Sequence, residues 1–169
     1  MDLSKKDRVF LINQYQILKS LYPNESSHYD ELIEILQNGY EIFYSMIDEW
    51  VGDEMPADQG RLVLDILNFY RFVEDYKLNN PDDKEVNDNL WSLFRGFDGN
   101  SESEYMGFAR FLINRQNKFS EQQQYKQKTD NFNSHMPTLE KYSNMIQAWR
   151  KLGGNYLNSR EDILTVLAS

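Results

Sequence analysis

The chain has 169 residues, 40% of them apolar, which is enough for one folded domain over 1–169 and argues against a disordered chain. It contains no cysteine, which excludes disulfides, thiolate metal sites and thiol catalysis. The formal charge of −9 repels phosphate backbones, so we do not expect general binding to nucleic acid.

The charge is unevenly placed along the chain. Residues 1–90 hold 19 acidic and 8 basic side chains, whereas 91–169 hold 8 acidic and 10 basic ones. No signal sequence and no apolar run of roughly 18 residues is present, so we expect a cytoplasmic protein without a membrane span.

Apolar residues recur three and four positions apart along most of the chain, which predicts an all-α fold, a single compact domain of about seven to eight helices. The first helix is expected over about 4–22, with Leu11, Tyr15 and Leu18 on its buried stripe. Ser26 is expected to cap the second helix, which should break near Gly39 because glycine is unfavourable inside a helix.

The pattern resumes from 40 to 50, and a long helix then follows the loop VGDEMPADQG, with Asp58 as its expected cap. Asn79-Asn80-Pro81 should close that helix, and a shorter helix is expected from about Asp82 to Phe94. A sixth helix is expected over about 101–119.

The segment SEQQQYKQKTDNFNSH has no useful periodicity and is predicted to be a mobile loop. Pro137 suits the first turn of a seventh helix, which Gly153-Gly154 should end. Ser159 and Asp162 have the spacing of a cap for a short last helix.

The stretch FDGNSESE is the first candidate for a metal site. Asp98, Asn100 and Glu102 follow the spacing of a calcium loop, but the required glycine and the final glutamate are missing. A capping box formed by Ser101 and Glu104 after a turn at Asp98-Gly99 is the preferred interpretation.

Other chemical motifs receive little support. Glu25 and His28 have the spacing of half a di-iron site, but no second Glu-x-x-His pair exists, so a surface histidine is expected. Nucleotide-binding and hydrolase signatures are absent, and we expect no cofactor and no metal.

Aromatic residues suggest two kinds of surface. Cations and aromatics alternate in one run that could bind single-stranded nucleic acid, although packed rings with solvated cations are the preferred interpretation. The run contains Arg110, Phe111, Arg115, Lys118, Phe119, Tyr125, Lys126 and Lys128. Phe10, Tyr44, Trp91 and Phe111 fall off the main apolar stripes, which favours self-association.

Several segments together resemble the YfbU-like family of bacterial proteins. They are NQYQILKSLYP, the NGY at 38–40, the LDI at 64–66, GFD with the following Tyr105-x-Gly-x-x-Arg-Phe, and FN, P, EKY and W within 132–149. The resemblance runs in order from about Val9 to the C-terminus. It implies a compact, all-helical, self-associating cytoplasmic protein from a family without an established biochemical activity, and it supplies no catalytic residues.

The positions that match the family pattern are Asn13, Tyr15, Gly96, Asp98, Tyr105, Gly107, Arg110, Asn133, Pro137, Glu140, Tyr142 and Trp149. Gly107 is expected to allow close approach of a neighbouring helix, and Arg110 is expected to pair with Glu140. The candidate polar cluster consists of Asp98, Tyr105, Arg110, Asn133, Glu140 and Tyr142.

Three functional hypotheses follow. The first is a non-enzymatic protein that self-associates and acts through contacts with itself or with a protein partner. The second is an enzyme or small-anion-binding protein that uses the polar cluster. The third is an acidic first half that occupies the nucleic-acid-binding site of another protein.

Overall fold

The computed structural model describes residues 2–154 and 159–169, and all regular secondary structure within these ranges is helical. The α-helices are α1 (Lys5–Leu21), α2 (Ser26–Asn38), α3 (Ser45–Asp48), α4 (Ala57–Asn79), α5 (Lys84–Asn87), α6 (Ser103–Arg110), α7 (Leu139–Lys151) and α8 (Arg160–Ala168). Short 3₁₀ segments span Pro23–Glu25, Glu41–Phe43 and Ser120–Tyr125, and a π-helical turn, Phe111–Arg115, continues α6. The predicted all-α, multihelical class is confirmed.

The contacts divide the chain into two compact units, Met1–Glu54 and Met55–Ser169. The single domain expected over 1–169 stays a prediction. Among the described helices, none combines the length and the apolar character that crossing a bilayer requires.

The N-terminal unit is an antiparallel hairpin of α1 and α2. The Ser4 hydroxyl accepts a hydrogen bond from the backbone N–H of Asp7, and the Asp7 carboxylate accepts one from the backbone of Ser4, which fixes the start of α1. Gly39 ends α2 in the left-handed conformation, as the sequence predicted. The buried side chains are Leu32, Ile33, Ile35, Leu36, Tyr44 and Ile47.

Two sequence expectations for this unit were wrong. Ser26 is the first residue of α2 and provides no side-chain cap, because the preceding 3₁₀ turn leads directly into the helix. The segment after Gly39 forms only the 3₁₀ turn and α3, so the helix expected to extend towards Trp50 ends at Asp48.

The C-terminal unit is built around α4, which contacts α6 and α7. Its centre is an aromatic cluster, defined as Tyr70, Phe94, Phe97, Phe132 and Tyr142, and all five side chains are buried. Ring centroids within this cluster lie 5.5 to 5.9 Å apart, the spacing of tilted and edge-to-face aromatic pairs. This packing brings α4, α7 and two long connections into one core.

Several expected helix boundaries in this unit differ from the structure. Asp58 lies in the first turn of α4 and is not its cap, which is Pro56. The expected helix over 82–94 is reduced to α5, whose cap is Asp83. Pro137 precedes α7, because Thr138 is the residue at its N-terminal boundary.

The connection expected to be a mobile loop is packed into the core. Its 3₁₀ segment buries Gln122, and Phe132 joins the aromatic cluster. The sixth helix is also shorter than expected, since it starts at Ser103 and its π-helical turn ends at Arg115. In contrast, Ser159 caps α8 by accepting from the backbone N–H of Asp162, as predicted.

Two glycines of the family pattern occupy opposite environments. Gly96 has φ +85°, and a Cβ placed there would lie 1.9 Å from the carbonyl oxygen of Phe132. Gly107 is exposed within α6, and a Cβ there would meet nothing within 4 Å. The expectation that Gly107 permits close helix approach was therefore wrong, whereas Gly96 is required by its backbone.

We predict that Gly96→Ala lowers the free energy of unfolding by about 2–4 kcal/mol, because the methyl group meets backbone and the left-handed conformation is strained. The matched control, Gly107→Ala, should raise it by up to about 1 kcal/mol, because alanine favours a helix interior. Urea unfolding of both variants checks this, and equal effects would contradict it.

Candidate functional site

The polar cluster predicted from the sequence begins at the turn after Phe97. The Phe97 N–H donates to the Phe132 carbonyl and the Ser134 N–H donates to the Phe97 carbonyl, each at 3.1 Å. A short parallel β-bridge between Phe97 and Asn133 therefore joins the turn to the segment before α7.

Asp98 and Asn133 stabilise this turn from its two sides. The Asp98 carboxylate accepts from the Ser101 hydroxyl at 2.6 Å and from the Ser101 N–H at 3.1 Å. The Ser101 hydroxyl holds the pKa of Asp98 below its usual value. The Asn133 side-chain oxygen accepts from the Gly99 N–H at 3.0 Å and from the His135 N–H at 3.2 Å.

Glu102 is the most highly connected carboxylate of the region, and it is only 7% exposed. It accepts from the N–H of Asp98 at 3.0 Å, from the N–H of Thr138 at 2.9 Å and from the N–H of Leu139 at 2.8 Å. The Thr138 hydroxyl, which donates to the Gly96 carbonyl at 2.9 Å, also lies 3.2 Å from this carboxylate. Glu102 is therefore the cap of α7, supplied from a distant part of the chain.

The capping box expected from Ser101 and Glu104 is wrong. The residue before α6 is Glu102, and no side chain caps that helix. Ser101 instead bonds Asp98, while Glu104 is exposed in the first turn. The carboxylate that caps a helix is Glu102, and the helix that it caps is α7.

Arg110 does not pair with Glu140, contrary to the sequence expectation. Its Nε donates to the backbone carbonyl of Asn131 at 2.7 Å, while Glu140 is exposed on α7 and forms no salt bridge with it. Arg110 thus holds the segment before Phe132 against α6.

The two tyrosines of the cluster belong to the core. Tyr105 packs its ring on Phe97 with centroids 5.6 Å apart. The hydroxyl of buried Tyr142 accepts from the Arg95 N–H at 3.0 Å. Burial raises the pKa of Tyr142 well above the usual range of a tyrosine. The six candidate residues are thus spread over separate structural contacts, and their function as one binding or catalytic site stays a prediction.

A buried polar network on α4 was missed by sequence reasoning. The Lys77 ammonium donates to the Glu74 carboxylate at 2.8 Å and to the Tyr125 hydroxyl at 3.0 Å. The Tyr125 hydroxyl donates to the other Glu74 oxygen at 2.8 Å. The helical spacing of Glu74 and Lys77 was visible in the sequence, but their burial and their distant partner were not.

The alternating cationic and aromatic run does not form one exposed strip. Phe119 is buried, with the Arg71 guanidinium 4.5 Å from its ring centroid, and Tyr125 is held by Glu74 and Lys77. Phe111 stacks on Phe108 with ring centroids 6.4 Å apart. The expected packing is confirmed for Phe119, whereas Phe111, which was expected to pack as well, is 46% exposed.

Two of the four aromatics expected to be surplus are exposed, namely Phe10 and Phe111. Tyr44 is buried in the N-terminal unit and Trp91 is half-buried, so the expectation fails for these two. His28 is exposed in the first turns of α2, where a surface histidine was expected.

The outer face of α1 carries a second apolar stripe that is exposed. Phe10, Ile17 and Leu21 are 68%, 54% and 66% exposed. Their spacing of seven and four residues places them on one side of a helix, and no residue of α1 is fully buried. The same spacing in the sequence would have revealed this second stripe.

The fold and these contacts define a multihelical protein whose C-terminal unit contains a helix-capping carboxylate. The YfbU domain matches residues 1–169, and the chain belongs to that family, as the sequence resemblance predicted. It is also 52% identical, over 98% of both chains, to a protein of Methanocaldococcus jannaschii described as a UPF0304 protein. That relative is archaeal, so the restriction to bacteria is not confirmed.

We predict that Glu102→Gln lowers the free energy of unfolding by about 1.5–3 kcal/mol, because its amide group would oppose backbone N–H donors. Exposed Glu104→Gln is the matched control and should change stability by less than about 0.5 kcal/mol. Denaturant unfolding at neutral pH measures both, and equal losses would argue against the capping function of Glu102.

The pH dependence of stability at alkaline pH should reveal the contribution of buried Tyr142. Its pKa is raised in the folded state, so its contribution to stability is present below about pH 10 and is lost as pH rises further. The loss is about 1.4 kcal/mol per pH unit for one such tyrosine. Tyr142→Phe should flatten the fall in unfolding free energy between about pH 10 and 11, whereas exposed Tyr22→Phe should leave its slope unchanged.

Proposed function

We propose that the protein acts through protein contacts and forms a homo-oligomer, with the outer face of α1 as the self-association surface. We call this surface the α1 stripe and define it as Phe10, Asn13, Ile17 and Leu21. The observation that carries the proposal is the exposure of its three apolar side chains on one side of a helix.

Charge supports contact between like surfaces. Residues 9–18 read VFLINQYQIL and contain no charged side chain, although 27% of the whole chain is charged. Depletion of charge is typical of the centre of protein interfaces. Two copies of a neutral stripe can meet across a twofold axis without opposing like charges, so a second copy of this chain is the favoured occupant.

Polar groups in and beside the α1 stripe fit the same occupant. Asn13, Gln16 and Ser20 line a shallow depression together with Ile17 and Leu21. An asparagine on an apolar helix seam can hydrogen-bond across the interface and fix the register of two helices. At 17 residues, α1 is about 25 Å long, which gives several turns of contact.

Further apolar area is exposed within the same unit, and a stable dimer needs about 800 Å² from each partner. The exposed large apolar side chains of residues 2–54 are Val9, Phe10, Ile17, Leu21, Tyr22, Tyr40, Ile42, Phe43, Trp50 and Val51. In the described part of 55–169, only five are exposed in this way. The concentration supports the N-terminal unit as the interaction unit.

The two other hypotheses have weaker support. Turn and loop contacts already use polar atoms of Asp98, Arg110 and Asn133. Fewer of their polar atoms are therefore available to bind an enzyme substrate. No further observation favours the hypothesis that the acidic first half occupies the nucleic-acid-binding site of another protein. Cytoplasmic location and a separate protein partner also remain predictions.

We expect wild-type protein to be an oligomer, most simply a dimer, at micromolar concentrations in size-exclusion chromatography with light scattering. Ile17→Glu should weaken association at least tenfold, because it buries an unpaired charge at the centre of the α1 stripe. The control is Leu78→Glu, a change at an apolar residue that is 78% exposed on α4.

Helical circular dichroism should be equal in the two variants, because both residues are exposed. A monomeric wild-type protein would overturn self-association. Assembly of Ile17→Glu at wild-type strength, with Leu78→Glu unchanged, would overturn the assignment to the α1 stripe.

A further inference from the structure

The C-terminal unit contains two adjoining cavities that no motif in the sequence indicated. Their volumes are about 510 Å³ and 220 Å³. Leu93, Arg95 and Lys128 line both cavities, so they lie at the junction between them. We call this combined space the junction cleft, and its larger part falls in the size range of small-molecule sites.

The Arg95 side chain is positioned by the protein and is free to bind a ligand. It is half-buried, and its backbone N–H is engaged by the Tyr142 hydroxyl, which fixes the residue in the core. Its guanidinium lies 6.0 Å from the ring centroid of Trp91. Among the described residues no group accepts a hydrogen bond from this guanidinium, and no carboxylate forms a salt bridge with it. Its planar set of N–H donors is therefore available.

Lys128 adds a second cation at the same place. It also forms no salt bridge with any carboxylate of the described chain. Lys77 lines the larger cavity, but its charge is balanced by buried Glu74. The junction thus presents two cations that form no salt bridge within the described residues, in a protein whose net charge is −9.

The acidic residues of the junction cleft are placed differently from the cations. Asp88 lines only the larger cavity and Asp130 lines only the smaller one, where it lies 2.9 Å from His135 Nε2. Carboxylates in these positions can accept hydrogen bonds from ligand hydroxyl groups. Asn87 and Asn89 add amide groups to the larger cavity.

We propose that the junction cleft binds a small hydroxylated organic phosphate, with its phosphate group held by Arg95 and Lys128. A guanidinium matches two phosphate oxygens at once, and the charge of a phosphate monoester, about −1.5 to −2 at neutral pH, balances two cations better than one carboxylate does. The remaining volume and the hydroxyl-binding carboxylates select an organic ligand over the free ion. This site is separate from the α1 stripe.

The probes are glycerol 3-phosphate and inorganic phosphate, titrated into full-length protein by calorimetry at about 0.15 M ionic strength, where weak surface attraction is screened. We expect glycerol 3-phosphate to bind more tightly than inorganic phosphate. Arg95→Gln should weaken binding of glycerol 3-phosphate at least tenfold, and Lys128→Gln should weaken it by a smaller factor. Arg115→Gln, at an exposed cation outside the cleft, is the matched control and should bind like the wild type.

Lys128 is exposed, so Lys128→Gln tests the cleft even where a change at half-buried Arg95 disturbs folding. Absence of binding for both probes at millimolar concentration would overturn the proposal. Equal affinity for the two probes would overturn the assignment of an organic ligand. Equal weakening by Arg115→Gln and Lys128→Gln would show nonspecific attraction in place of a site.

Discussion

The hydrogen bonds of Glu102 to the start of α7 are the interaction on which the C-terminal unit depends. The first N–H groups of a helix have no partner within the helix, and burial makes unpaired donors costly. Glu102 provides acceptors to Thr138 and Leu139 and also to Asp98, so one carboxylate joins the turn after Phe97 to α7. The negative charge is favourable at this end of the helix dipole.

The contacts around Gly96 and Tyr142 depend on this connection between Glu102 and α7. Thr138 donates its hydroxyl to the carbonyl of Gly96 at 2.9 Å, which brings the backbone of α7 against the glycine. Gly96 in turn faces the Phe132 backbone so closely that a side chain has no space. Tyr142, one turn into α7, then enters the aromatic cluster and bonds the Arg95 N–H. Buried polar and aromatic contacts therefore support one another.

The sequence predicted what depends on local periodicity and local caps. A seventh helix was predicted between Pro137 and Gly153-Gly154, where α7 lies, and the Ser159 cap was predicted from its spacing to Asp162. It could not predict the α7 cap, because Glu102 lies 36 residues before Thr138. The partner of Arg110 was also hidden, since a backbone carbonyl carries no signature in the sequence. The contacts of the polar cluster are thus mostly structural, and its function as one site stays a prediction.

The same distinction explains why the two proposed binding surfaces lie largely outside that cluster, although Asn133 lines the smaller cavity of the junction cleft. A polar side chain whose hydrogen bonds are satisfied within the protein gains little from a ligand, whereas an unmatched group gains the full interaction. Asp98 and Asn133 belong to the first kind. The Arg95 guanidinium belongs to the second kind, because it contacts the Trp91 ring but donates no hydrogen bond within the described residues. The apolar side chains of the α1 stripe also belong to it, because they are exposed. In a protein of this type, a binding site is better sought at side chains that have no partner within the fold than at the polar residues with the most hydrogen bonds.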